Sequence, residues 1–94
     1  MKVKFSGIFY IQLKEIVVYI AKDKPLASKK FKKDLIVAAK KDLQFPYNYK
    51  QSIYSKNPDY RDYVHKGYTI TYQINNEKQF VIILGIIKNK FSYK

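Results

Sequence analysis

The only arginine and the only histidine of this 94-residue chain stand four positions apart, in the run Tyr60-Arg61-Asp62-Tyr63-Val64-His65. In an extended strand alternate residues share a face, so Arg61, Tyr63 and His65 line up on one side and Tyr60, Asp62 and Val64 on the other. If Val64 turns inward, Arg61 and His65 point out together. A guanidinium, an imidazole, nearby phenols and lysines suit one reaction, cleavage of RNA by attack of a 2′-hydroxyl on its neighbouring phosphate. That reaction needs a proton acceptor, a proton donor and a cation for the phosphorane charge. Histidine titrates near neutrality, and arginine offers a planar two-pronged donor that lysine cannot copy. Each residue also has a plainer role. Arg61 can be the salt-bridge partner of Asp59 or Asp62, His65 a surface histidine that moves no proton, and the tyrosines packing rather than platforms for bases.

Other chemistries lack their residues. There is no cysteine, hence no disulfide, no thiolate metal site and no cysteine nucleophile, and one histidine among scattered carboxylates has no spacing typical of a metal site. Gly7, Gly67 and Gly85 stand alone, so no phosphate-cradling loop exists, and a serine-hydrolase elbow is missing too. No cofactor and no metal are expected. Lysine plus arginine number 19 against 7 acidic residues, a formal charge of +12. A lysine-favouring codon bias explains the shortage of arginine better than it explains the net excess. The excess points to a polyanionic partner, nucleic acid or an acidic protein segment. No apolar run approaches the roughly 20 residues that span a bilayer, and no cleavable leader opens the chain, so a cytoplasmic protein without a membrane partner is expected.

The elements that must position these residues read as a single domain over residues 1–94. Val3 to Phe5 is a short strand and Ser6 a helix N-cap. Phe9, Leu13, Ile16, Val17 and Ile20 recur at helical spacing over residues 7 to 22. Asp23-Lys24-Pro25 closes a tight helical hairpin, with Asp23 as cap and Pro25 in the first turn of a second helix. That helix carries Ala27, Phe31, Leu35, Ala38 and Leu43 inward and Lys29, Lys30, Lys32, Lys33, Lys40 and Lys41 elsewhere; these lysines read as a solvated face. Phe45-Pro46 ends it. A tyrosine-rich passage with one short strand near 51–54 leads to the Arg61 strand. Lys66-Gly67 is a two-residue turn into Tyr68 to Ile74, and Phe80 to Ile87, apolar on both faces, reads as a central strand. The order β-α-α-β-β-β(-β) predicts a two-layer α+β domain, a helical hairpin on one face of a mostly antiparallel sheet with the other face free for a ligand.

Several segments together resemble the RelE/ParE superfamily of bacterial toxins. They are Tyr19 to Ala27 followed by Phe31 and Leu35, Leu43 to Pro46, Tyr60-Arg61 with Gly67 to Ile74, and Ile82 to Ile87. The resemblance implies the toxin of a type II toxin–antitoxin system. Its expected partner is an acidic antitoxin whose tail wraps it, operator DNA being reached only through the antitoxin. It implies one of two targets, mRNA on the ribosome, cut by an endoribonuclease branch, or DNA gyrase, inhibited by a branch without the nuclease residues. A folded, non-catalytic antitoxin-binding module is a third reading. Arg61 matches the arginine that ribosome-dependent members place near the scissile phosphate. Lys50 and Lys56 fall where such members place basic residues, with Lys90 as a further phosphate contact. After the last strand, where many relatives carry histidine or arginine, this chain has Lys88-Asn89-Lys90, with Tyr93 close to the position of a catalytic tyrosine in one subgroup. The implied catalytic set is Arg61, His65, Lys88 and Tyr93, slightly favouring mRNA cleavage.

Overall fold

The computed structural model describes residues 1–89. Strand β1 (Lys2–Phe5) is followed by helices α1 (Gly7–Ala21) and α2 (Pro25–Asp42), a 3-10 turn at Pro46–Asn48, and strands β2 (Tyr60–His65), β3 (Tyr68–Asn75) and β4 (Phe80–Lys88). The sheet order is β1-β4-β3-β2, with β1 parallel to β4 and the other pairs antiparallel. This is the expected two-layer α+β arrangement, and β4 is central, which is why it is apolar on both faces.

Ser6 starts α1 as its spacing predicts. Its Oγ accepts the Phe9 N–H at 3.1 Å and donates to the Leu84 carbonyl at 3.1 Å, so one hydroxyl caps the helix and ties it to β4. The start of α2 differs from expectation. Asp23 is not the cap; its N–H, like that of Lys24, closes the end of α1 on the Ile20 carbonyl, and Lys24 takes the cap position without a side-chain bond. Pro25 occupies the first turn, where a missing N–H costs nothing, and the Ser28 hydroxyl donates to its carbonyl at 2.7 Å. Ser28 is therefore buried where Ala27 was expected to be, and Ala27 is exposed.

The core joins Phe9 and Leu13 of α1 with Leu35, Ala39 and Leu43 of α2 and its end, over Tyr63, Ile70, Tyr72, Ile74, Val81, Ile83 and Ile86 of the sheet. The Lys66-Gly67 turn has φ of 47° and 84°, positive at both central residues as the tight primed hairpin turns require. A register shift between β3 and β4 pairs Thr71 with Gly85 but Tyr72 with Ile83, leaving Leu84 as an extra residue. Gln12 of α1 meets this bulge, its Oε1 accepting the Ile86 N–H at 2.9 Å. A Cβ on Gly85 would sit 2.7 Å from that oxygen. Gly85→Ala should therefore break the bond and cost about 1–2 kcal/mol. Urea unfolding checks this, and an unchanged midpoint would show that Gln12 does not hold the bulge.

The strand expected near 51–54 is a single bridge between Gln51 and Arg61. Pairing lasts for two backbone bonds, Asp62 N–H to Lys50 O at 3.1 Å and Ser52 N–H to Tyr60 O at 2.7 Å. Side chains then take over the backbone: Asp62 Oδ2 accepts from Ile53 N–H, Ser52 Oγ from Tyr54 N–H, and the Gln51 amide donates to the Ser55 and Lys56 carbonyls. Such local bonds compete with a ladder and curl the segment away.

Candidate functional site

Val64 does not turn inward; it is 61% exposed, whereas Tyr63 is 5% exposed. Arg61, Tyr63 and His65 therefore face the helical layer. The larger aromatic takes the core position, with its ring edge-on to Tyr49 at 5.1 Å and its hydroxyl donating to Asp42 Oδ2 at 2.5 Å. Burial and the Asp42 carboxylate push the Tyr63 phenol well above its ordinary pKa.

The Arg61 guanidinium is engaged within the fold. One terminal nitrogen donates to the Tyr49 carbonyl at 2.6 Å, its carbon lies 5.1 Å from the centre of the Tyr47 ring, and Nε is buried without a hydrogen-bond partner. Opposite it in register stands Tyr72, whose hydroxyl donates to the Pro46 carbonyl at 2.5 Å. Arg61 and Tyr72 thus clasp the 46–49 passage from below. Neither Asp59 nor Asp62 pairs with Arg61 among the described residues. Asp62 lies on the opposite face, accepting from Thr71 Oγ1 at 2.9 Å.

His65 sits one helix-facing position beyond Tyr63, its ring roughly parallel to the phenol at 6.5 Å and its Nε2 buried without a hydrogen-bond partner. Burial lowers its pKa and Lys66 lowers it further, while Asp34 and Asp42 act in the opposite sense. A folded-state pKa below the unfolded value of about 6.5 means that the unfolded chain binds the extra proton first. The histidine's contribution to stability is then fully present above about pH 6.5 and is lost as pH falls through its folded pKa. Wild type should lose more stability than His65→Gln between neutral and mildly acidic pH in paired urea titrations. Parallel profiles would show that His65 is not the group responsible.

The candidate residues divide into two groups. Four residue steps along the strand set Arg61 and His65 about 13 Å apart. Lys50 and Lys56, both exposed, lie on the passage that flanks Arg61. Lys88, also exposed, pairs with Tyr68, which pairs with His65, so the histidine and this lysine share the other end of the sheet. Lys90 and Tyr93 lie outside the described residues. The described candidates do not bring a proton carrier within hydrogen-bond reach of the guanidinium. No cluster of three metal-ligating side chains occurs among the described residues, and no helix there is long and apolar enough to cross a membrane.

The residue pattern expects a free sheet face without marking the cavity on it, and marks no partner surface on α1. On the open face of the sheet, a cavity of about 540 Å³ is lined by Gln12, Tyr54, Tyr60, Thr69, Thr71 and Leu84, among others. Its walls come from four elements distant in sequence, so no local signal announces it. Along the outside of α1, Ile8, Ile11, Val18 and Tyr19 are exposed, Ile11 by 63% and Tyr19 by 71%. There Ile11, Val18 and Tyr19 line a groove of about 620 Å³ with Lys14, Glu15 and Lys22 on its rim. That signal was present, because α1 is apolar nearly all round and such helices are normally covered.

A family model described as the ParE toxin of type II toxin–antitoxin systems, parDE, matches residues 3–93. Among solved structures, the chromosomal ParDE system from P. aeruginosa superposes with a TM-score of 0.74 at 18% identity, covering 96% of this chain and 97% of that one. The RelBE2 toxin–antitoxin complex from Mycobacterium tuberculosis follows at 0.65 and 18%, covering 94% and 90%. The isolated E. coli RelE toxin gives 0.57 and 19%, covering 95% and 84%. No curated protein matches the sequence. At these identities the structures share the fold.

Proposed function

The chain belongs to the ParE toxin family of type II toxin–antitoxin systems, and from that membership we propose that it arrests growth by stoichiometric binding of DNA gyrase rather than by cutting mRNA. The observation that carries this reading is the engagement of Arg61. A guanidinium that donates to Tyr49 O, stacks near Tyr47 and buries Nε is spent on the fold. With Nη1 donating to the fold and Nε buried, only Nη2 is left of the two-pronged donor that a phosphorane would draw on. The second support is the division of the remaining candidates between opposite ends of β2. Lys50 and Lys56 beside Arg61 are what favours the endoribonuclease reading, but two surface ammonium groups supply charge without a base.

The partner we assign is an acidic antitoxin. Its apolar face covers the groove outside α1 while its carboxylates meet Lys14 and Lys22. A second copy of a +12 chain fits that groove less well, because like net charge opposes association.

The experiment is induction of the protein in a bacterial host with mapping of mRNA 5′ ends, alongside a supercoiling assay on purified gyrase. Growth arrest with intact mRNA and inhibited supercoiling is the expected result. New in-frame cleavage sites would establish the nuclease instead, and absence of arrest would leave an antitoxin-binding module.

A further inference from the structure

The charges of α2 are sorted by side. The helix carries six lysines and two aspartates, and both aspartates turn toward the strands. Asp34 pairs with Lys30 at 3.2 Å and with Lys66 of the β2–β3 turn at 3.8 Å, while Asp42 receives the Tyr63 hydroxyl. Lys29, Lys32, Lys33, Lys40 and Lys41 are exposed and are in no ion pair among the described residues. A surface that only needs solvating mixes both signs; here both acids of the helix are engaged, Asp34 by Lys30 and Lys66 and Asp42 by Tyr63, and the charges of α2 left outside ion pairs among the described residues are positive.

Spacing makes a line of this face. Lys29, Lys33 and Lys40, at i, i+4 and i+11, fall on one stripe beside the buried Ser28, Leu35 and Ala39, with the Lys40 ammonium at its far end 6.0 Å from the centre of the Phe5 ring. The stripe runs about 16 Å along the helix, or about five base pairs at 3.4 Å each. Lys22 and Lys24, exposed in the hairpin turn on either side of the exposed Asp23, carry positive charge past the start of α2. That start has no acidic residue in its first turn.

We propose that the outer face of α2 is a docking rail for the phosphate backbone of a nucleic-acid duplex, read by charge and not by base. It lies across the molecule from the open sheet face and stands whichever target the toxin has. Lysine suits this role because backbone contact needs point charges rather than bidentate forks.

The test compares two triple variants with equal change in net charge. One is Lys29→Gln with Lys33→Gln and Lys40→Gln. The other is Lys2→Gln with Lys4→Gln and Lys78→Gln, all exposed and carried by β1 and the β3–β4 turn instead of α2. Both are titrated against a fluorescein-labelled DNA duplex and an RNA duplex of the same sequence over a range of salt, after thermal melts confirm folding. The α2 variant should bind both duplexes about tenfold or more weakly than wild type, with the slope of log K against log salt reduced by about 2–3. The control should stay within about threefold. Equal losses in the two variants would mean that net charge alone governs binding and would overturn the rail. So would an α2 variant that holds duplexes like wild type but loses its acidic antitoxin, which would make the face a protein surface.

Discussion

Arg61→Ala is expected to lower the melting temperature by about 10–20 °C. The substitution removes a charge-assisted hydrogen bond to Tyr49 O and the cation over Tyr47. These are worth about 1.5–3 and about 0.5–1 kcal/mol, together about 2–3 kcal/mol after partial relaxation. A chain of this size loses about 4–8 °C per kcal/mol. Arg61→Lys keeps the charge but cannot reach both the carbonyl and the ring, so it should fall between the two. Limited proteolysis supplies an independent reading, because the hydrogen bonds from Arg61 and Tyr72 hold the 46–49 passage from below, beside the Tyr49–Tyr63 ring contact. Cleavage there should accelerate in both variants, and in Tyr72→Phe more mildly, by about the 1 kcal/mol of one hydrogen bond. An Arg61→Ala protein that melts like wild type but no longer arrests growth would return the arginine to the functional site and restore the nuclease reading.

The second large effect concerns the groove outside α1. Ile11→Asp combined with Val18→Asp should weaken the antitoxin complex at least a hundredfold. Each side chain, once covered by a partner, contributes about 1.5–3 kcal/mol, and two of them represent roughly two to four powers of ten in Kd. Replacing them with carboxylates adds repulsion toward an acidic partner. The toxin alone should melt nearly as before, since both residues already face water. Lys14→Glu with Lys22→Glu should act mainly on the association rate and its salt dependence. Isothermal titration and stopped-flow mixing with the acidic antitoxin separate these effects. A double aspartate variant that binds the antitoxin as tightly as wild type would move the interface elsewhere.

The fold was largely legible in the sequence because its signals are local. Ser6 before a helical run, Pro25 in a first turn, Lys66-Gly67 between alternating runs and the two-sided apolarity of β4 each act within a few residues. What escaped depends on competition between distant groups. Whether Val64 or Tyr63 faces the core is decided by Asp42 and Tyr49, which meet β2 only in three dimensions. The same contacts set the direction of Arg61, so its character as a clasp on the 46–49 passage could not be read from its neighbours. Asp23 as a cap failed by a single residue, because the end of α1 used its backbone first. The short strand at 51–54 failed because Asp62 and Gln51 side chains outbid the ladder.

The pairing of β1 with β4 also fixes when the toxin can exist. Lys2 to Phe5 lie beside Phe80 to Ile83, and β4 bridges β1 and β3. A nascent chain can wind its helical hairpin early, but the sheet has no centre until β4 has left the ribosome exit. Long-range pairing of this kind forms late and together. A product cut short before residue 80 carries every lysine of α2 and every exposed residue of α1, yet has no β4 to join its first strand to the rest. Harm is thereby coupled to the appearance of the last strand, and synthesis itself provides the interval in which an antitoxin already present can be waiting.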